Sequence, residues 1–486
     1  MSVIPANDVS ETRSGTKSGQ DLGVISLTAL VAGSMIGAGV FSLPQNMAGG
    51  AGALATLIGW IITGVGMLGL AFVFKSLAAR RPELNAGPYA YARAGFGPFV
   101  GFNSAWGYWL SAWIGNVSYA VVLFGALGYF FPIFGEGNTF AALIGSTIVL
   151  WAVHFLVLAG VRQAAIVNSV VTIAKIAPVV LFIVLVGLAF QIDKFTLDLT
   201  SPALGDIVTQ VKSTMLVTLW TFIGIEGASV VSARAKNRRD VSLATISGFL
   251  LCLFLYAAVT LLSYGSLTQA ELAALPNPSM AGVLEHVVGT WGAVLINLAL
   301  VVSVTGAFIA WTIFAAEIPN AAAGDGTLPK FFGIANANNS PASALWITNA
   351  LVQIFLVIAY FRSSTYEALF LIASAAILVP YVFSGAFALK LAATGESYVP
   401  GESRARDFLF ALIATVYGIW LCYAAGPQYL FMCAILYAPG IVFFVMARKE
   451  NGKKVFTSIE ILLAVALVIA AIAAAWLMWT GQLSPL

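Results

Sequence analysis

Gly33-Ser34-Met35-Ile36-Gly37-Ala38-Gly39-Val40-Phe41 interrupts the first apolar segment of the chain at its centre, with Pro44 just beyond. Glycine is a weaker helix former than alanine by about 1 kcal/mol per residue. At bilayer depth, any backbone group freed by unwinding must be taken up by a cavity, a neighbouring helix or a ligand. The stretch predicts a membrane helix broken near the midplane, with a binding site at the break. Close helix packing also uses small residues, so a second signal is needed to choose between the two readings.

Composition sets the class. Hydrophobic residues make up 60% of the 486 residues and charged ones 9%, whereas about 25% of a soluble domain is charged. Apolar runs fall at roughly 25–45, 54–77, 98–131, 140–160, 165–191, 208–233, 242–266, 286–318, 342–361, 366–393, 407–425, 427–447 and 456–480, each long enough for the ~20 residues of a crossing. We expect an all-α polytopic membrane protein of about thirteen spans. With the N-terminus inside, nineteen of the twenty-three Lys and Arg residues lie on the cytoplasmic side, leaving Lys194, Lys212 and Arg362 outside and Lys175 within a span. This bias predicts a multi-pass protein of the cytoplasmic (inner) membrane, N-terminus in and C-terminus out. Residues 1–22 read as a disordered cytoplasmic tail and not as a signal peptide. The net charge of +3 is what such loops carry, and no nucleic-acid partner is expected; membrane lipid is.

The second signal is Gly224-Ile225-Glu226-Gly227-Ala228-Ser229 in the sixth span. It pairs glycines with an ionisable group, which is costly in a bilayer unless it faces a cavity or partner. Two interrupted spans, five apart, point to an inverted-repeat transporter whose site lies between the repeats. The expected organisation is a first repeat over 23–195, a second over 205–395 and accessory spans over 405–486. Cys252, Cys422 and Cys433 occur singly, and His154 and His286 lack metal-ligand spacing. No metal or cofactor is expected, and no nucleophile–base pair suggests an enzyme.

These two stretches, with the loop Ala86-Gly87-Pro88-Tyr89-Ala90-Tyr91-Ala92 and Trp220-Thr221-Phe222-Ile223 ahead of the second break, resemble the basic amino acid/polyamine antiporters of the amino acid–polyamine–organocation superfamily. Ser42-Leu43-Pro44-Gln45-Asn46, Ser104-Ala105-Trp106-Gly107-Tyr108-Trp109 and Trp151-Ala152-Val153-His154-Phe155-Leu156 are most similar to the arginine/ornithine-exchanging branch. The similarity covers essentially the whole chain. It implies the five-plus-five inverted-repeat fold with broken helices 1 and 6. It also implies electroneutral exchange of external L-arginine for internal L-ornithine, by a monomer or homodimer. A proton-coupled or facilitated uptake permease for basic amino acids stays open, and a non-transporting amino acid sensor is the remote alternative.

An amino acid needs donors for its carboxylate and acceptors for its ammonium, and broken helices offer both. The carboxylate is assigned to Ser34, Gly37, Ala38 and Gly39, a segment that also carries Met35. The ammonium falls to carbonyls near Trp220, Ile223 and Gly224. A related arginine/agmatine antiporter has serine where this chain has Ala38, so here the backbone must carry more of the carboxylate. By resemblance Trp311 stacks on a guanidinium, Trp220 closes over bound substrate, and Tyr108 and Asn116 line the cavity; packing or hydrogen bonding between helices is the ordinary role for each. Glu226 gates the cavity through changing hydrogen bonds or releases a proton when a cation enters; a helix-breaking charge merely hydrogen-bonded to nearby backbone is the plain alternative. Lys175 is implied to stand where sodium binds in sodium-coupled relatives, bridging spans one, five and eight; snorkelling to the cytoplasm is the alternative. Glu317 is open to pairing with Lys175, to tuning selectivity or to solvation. The basic loop Arg234-Ala235-Lys236-Asn237-Arg238-Arg239-Asp240 reads as a topological anchor, against a lipid contact.

Overall fold

The computed structural model describes residues 24–84, 87–197, 199–226 and 238–483. The tail over 1–22, Ala86, Gly227-Ala228-Ser229 and residues 234–237 of the basic loop lie outside the described residues, as does the Ser34 side chain. Among the described residues the chain is helical and contains no strand. The helices are α1 Val24–Met35, α2 Gly39–Ala48, α3 Ala53–Arg80, α4 Pro88–Phe96, α5 Pro98–Gly128, α6 Phe140–Ala159, α7 Val161–Leu188, α8 Ile192–Leu197, α9 Ile207–Phe222 and α10 Arg238–Ser263. They continue with α11 Gln269–Ala273, α12 Ser279–Val288, α13 Thr290–Gly324, α14 Ala342–Arg362, α15 Tyr366–Ala376, α16 Leu378–Thr394, α17 Ala405–Tyr437, α18 Gly440–Glu450 and α19 Ser458–Trp479.

Local chemistry sets the ends. Thr139 and Asp206 accept the Ala142 and Thr209 amides at the starts of α6 and α9, and Thr457 with Glu460 forms a capping box before α19, satisfying donors that a helix start leaves free. Nine helical stretches among the described residues are long and apolar enough to cross a membrane. One of them runs over Ala405–Glu450, 46 residues, enough for two crossings of a ~30 Å core at ~1.5 Å per residue. It turns at Gly426, where φ is +74° ahead of Pro427. The other three apolar runs fall on the broken pair α1 and α2, on α7, and on α9 with the break that follows it.

The helices pack in two groups. In one, α1 lies on α10, and α3 lies on both α9 and α10. In the other, α5 packs on α13, α14 and α15, and α6 on α14. Helix α7 reaches from α1 to α13, and α15 from α9 to α5. Both broken segments belong to the first group and meet the second along α5 and α13, which places the freed backbone groups inside the protein, where irregular backbone at membrane depth is tolerated. Ile148, Phe155, Leu188, Phe254 and Phe361 are exposed apolar side chains on α6, α7, α10 and α14, as lipid-facing surfaces require.

Candidate functional site

At the first break the Ile36 amide still bonds back to Ala32, but the Gly37 amide folds onto the Met35 carbonyl and the Phe41 amide onto that of Ala38. The carbonyls of Gly33 and Gly37 thereby lose their helical partners, and two other helices supply replacements. Lys175 of α7 donates to the Gly33 oxygen at 2.5 Å, and the Ser303 hydroxyl of α13 donates to the Gly37 oxygen at 3.2 Å. The Ala38 and Gly39 amides are left without partners among the described residues. Two unpaired amides at a helix start form an anion site. Of the segment assigned to a carboxylate, Gly37 has its amide occupied here, and Ala38 and Gly39 carry the donors; Met35 is buried beside them.

Lys175 is 1% exposed, so its ammonium does not snorkel to an aqueous surface. It links α7 to α1, while the link from α13 comes from Ser303. Glu317 accepts from Asn320 at 3.2 Å, and among the described residues no ion pair joins it to Lys175.

The second break follows Phe222. Ile223 is extended, and Gly224 has φ of +107°, a conformation that glycine adopts without the penalty a side chain would bring. The Trp220 carbonyl accepts the Ile223 amide at 3.3 Å, leaving the Ile223 carbonyl without a partner among the described residues. Trp220 lies across the first break: a Cβ on Gly39 would sit 3.2 Å from its ring, and one on Gly115 would sit 3.1 Å from it. Those two glycines give the indole its place. Its N–H donates to the Tyr366 hydroxyl at 3.0 Å, and its ring stacks on Phe370 with centroids 5.7 Å apart.

Glu226 is 4% exposed and holds two tyrosines from different helices. Tyr108 of α5 donates to Oε1 at 2.6 Å, and Tyr381 of α16 donates to Oε2 at 2.7 Å. Both carboxylate oxygens are engaged, so the second break is tied shut against α5 and α16. Asn116 donates to Thr312 at 3.3 Å, next to the buried Trp311, and its Oδ1 has no partner, an acceptor available to a cationic ligand. Near Tyr366 a cavity of about 390 Å³ is lined by Gln45, Glu136, Asn277 and Glu367 among others.

The sequence did not single out Ser303, Tyr366 or Tyr381. Each is one hydroxyl among many in apolar helices, and only the register of packing selects it.

The sequence that forms these two unwound segments has matches among known proteins. Residues 22–479 match the family described as amino acid permease. The chain belongs to the amino acid permease family. This permease is 52% identical to the arginine/ornithine antiporter of Pseudomonas aeruginosa, over 96% of this chain and 99% of the relative. It is 44% identical to the arginine/agmatine antiporter of Chlamydia pneumoniae, over 97% and 99%, and 45% identical to that of Chlamydia felis, over 92% and 94%. Family and apolar helices together make it an all-α, multi-pass membrane protein.

Proposed function

We propose that this permease exchanges external L-arginine for internal L-ornithine by alternating access, with its substrate held between the two broken segments. The observation that carries the proposal is the pairing of free Ala38 and Gly39 amides with the free Ile223 carbonyl, under Trp220 on one side and the Glu226 tyrosine pair on the other. An α-carboxylate meets the amides and an α-ammonium meets the carbonyl. The guanidinium or side-chain ammonium lies over Trp311 beside the Asn116 oxygen. The name and 52% identity of the Pseudomonas relative favour ornithine as the counter-substrate. No metal or cofactor is required.

The packing supports a reading of two repeats. Within the two groups, contacts recur five spans apart: α1 with α10 mirrors α9 with α3, and α7 with α13 mirrors α15 with α5. Residues 23–195 and 205–395 are the inverted halves in this reading, and 405–486 holds accessory spans. With thirteen crossings and the basic loops inside, the N-terminus is cytoplasmic and the C-terminus external in the inner membrane.

Counterflow in liposomes tests exchange. Arginine uptake should need internal ornithine; uptake that proceeds equally without it replaces the exchanger with a facilitated or proton-coupled permease. A Trp311→Leu variant should bind arginine about 3- to 30-fold more weakly, the range of a partly to fully desolvated cation–π contact, while eluting as a monodisperse protein. Unchanged arginine affinity would remove Trp311 from the site.

A further inference from the structure

Tyr119 stands one helical turn beyond Asn116 on α5 and is 6% exposed. Its ring lies 5.6 Å from that of Trp220, and its hydroxyl oxygen is 3.0 Å from the point where a Cβ on Gly37 would be. Only a glycine at 37 lets the hydroxyl come so close to the unwound backbone, immediately before the Ala38 amide. The ring has neighbours, but the hydroxyl has no hydrogen-bond partner among the described residues. The nearby Gly37 carbonyl already accepts from Ser303. Without a protein partner, the hydroxyl at the edge of the unwound segment is free to bond a ligand or water. Position 38 contributes no hydroxyl of its own in this chain.

We propose that Tyr119 is a specificity-determining residue whose hydroxyl donates a hydrogen bond to the α-carboxylate of bound substrate, beside the amides of Ala38 and Gly39. The inference rests on the reading of the site as one for basic amino acids. It adds that the side-chain donor for the carboxylate comes from across the cavity on α5, and that this donor separates amino acids from their decarboxylated amines. A ligand with the same guanidinium but no carboxylate gains nothing from it.

Equilibrium binding to the purified full-length protein, wild type and Tyr119→Phe, tests this with arginine and agmatine. Phenylalanine keeps the ring against Trp220 and removes only the oxygen. The arginine Kd should rise about tenfold, as expected for loss of a hydrogen bond to a charged group. Agmatine, which lacks the carboxylate, should bind the variant as it binds the wild type, and its retained binding shows that the variant is folded. Unchanged arginine affinity overturns the proposal, as does equal weakening of both ligands, which would make Tyr119 a packing residue. A wild-type protein that binds neither ligand overturns the basic amino acid reading itself, a result distinct from a hydroxyl that makes no difference.

Discussion

Exchange by a Lys175→Ala variant should fall about 10- to 100-fold, the factor for withdrawing a charged donor from a buried acceptor. The Gly33 oxygen, having lost its helical amide, would face a void within the protein, and the unwound segment would lose its tie to α7. The measurement is ornithine-driven arginine uptake in proteoliposomes with and without sodium. Wild-type exchange should be indifferent to sodium; the variant should be arrested or should regain activity only when an ion is supplied. Normal exchange by the variant without added ion would show that the ammonium has no part in transport.

Glu226→Ala should be equally damaging by a different route. Its two carboxylate oxygens satisfy the hydroxyls of Tyr108 and Tyr381, and each buried donor left unpaired costs about 1–3 kcal/mol. The closed form of this end would lose most of its advantage over the open one. Exchange should drop about 100-fold and arginine should leak from loaded liposomes without a counter-substrate. Tyr108→Phe, which removes one bond and leaves the other, should show a milder loss of about tenfold. Tight, normal exchange in the alanine variant would mean that the carboxylate is a packing feature and not a gate.

Much of the site can be read from residue types whose presence in a membrane segment is expensive. Gly33, Gly37 and Gly39 mark the first break, and Gly224 with Glu226 marks the second, because glycine clusters and carboxylates are disfavoured in spans without a reason. Lys175 stands out on the same ground. Its partner does not: a backbone carbonyl becomes an acceptor only when a particular amide turns away, and that depends on how Gly37 folds back on Met35. Tyr366, Tyr381 and Ser303 were illegible because hydroxyls in spans usually bond within their own helix, as Thr312 does to Phe308. The assignment of Gly37 to the carboxylate illustrates the limit. Glycine spacing locates the break to within a turn but does not say which amide the break leaves free. The runs over 407–425 and 427–447 fall on α17 and α18, and the turn between the two crossings rests on a single residue, Gly426.

The ammonium fastened to the Gly33 carbonyl has a thermodynamic consequence. It is covalently part of the chain and, unlike a bound sodium ion, cannot dissociate into either compartment, so no sodium gradient does work on the cargo through that position. With no ion coupled, one-for-one exchange of two amino acids of equal charge stops when the inside-to-outside ratio of one equals that of the other. In the exchange proposed above, uphill movement of arginine then draws on the outward gradient of ornithine.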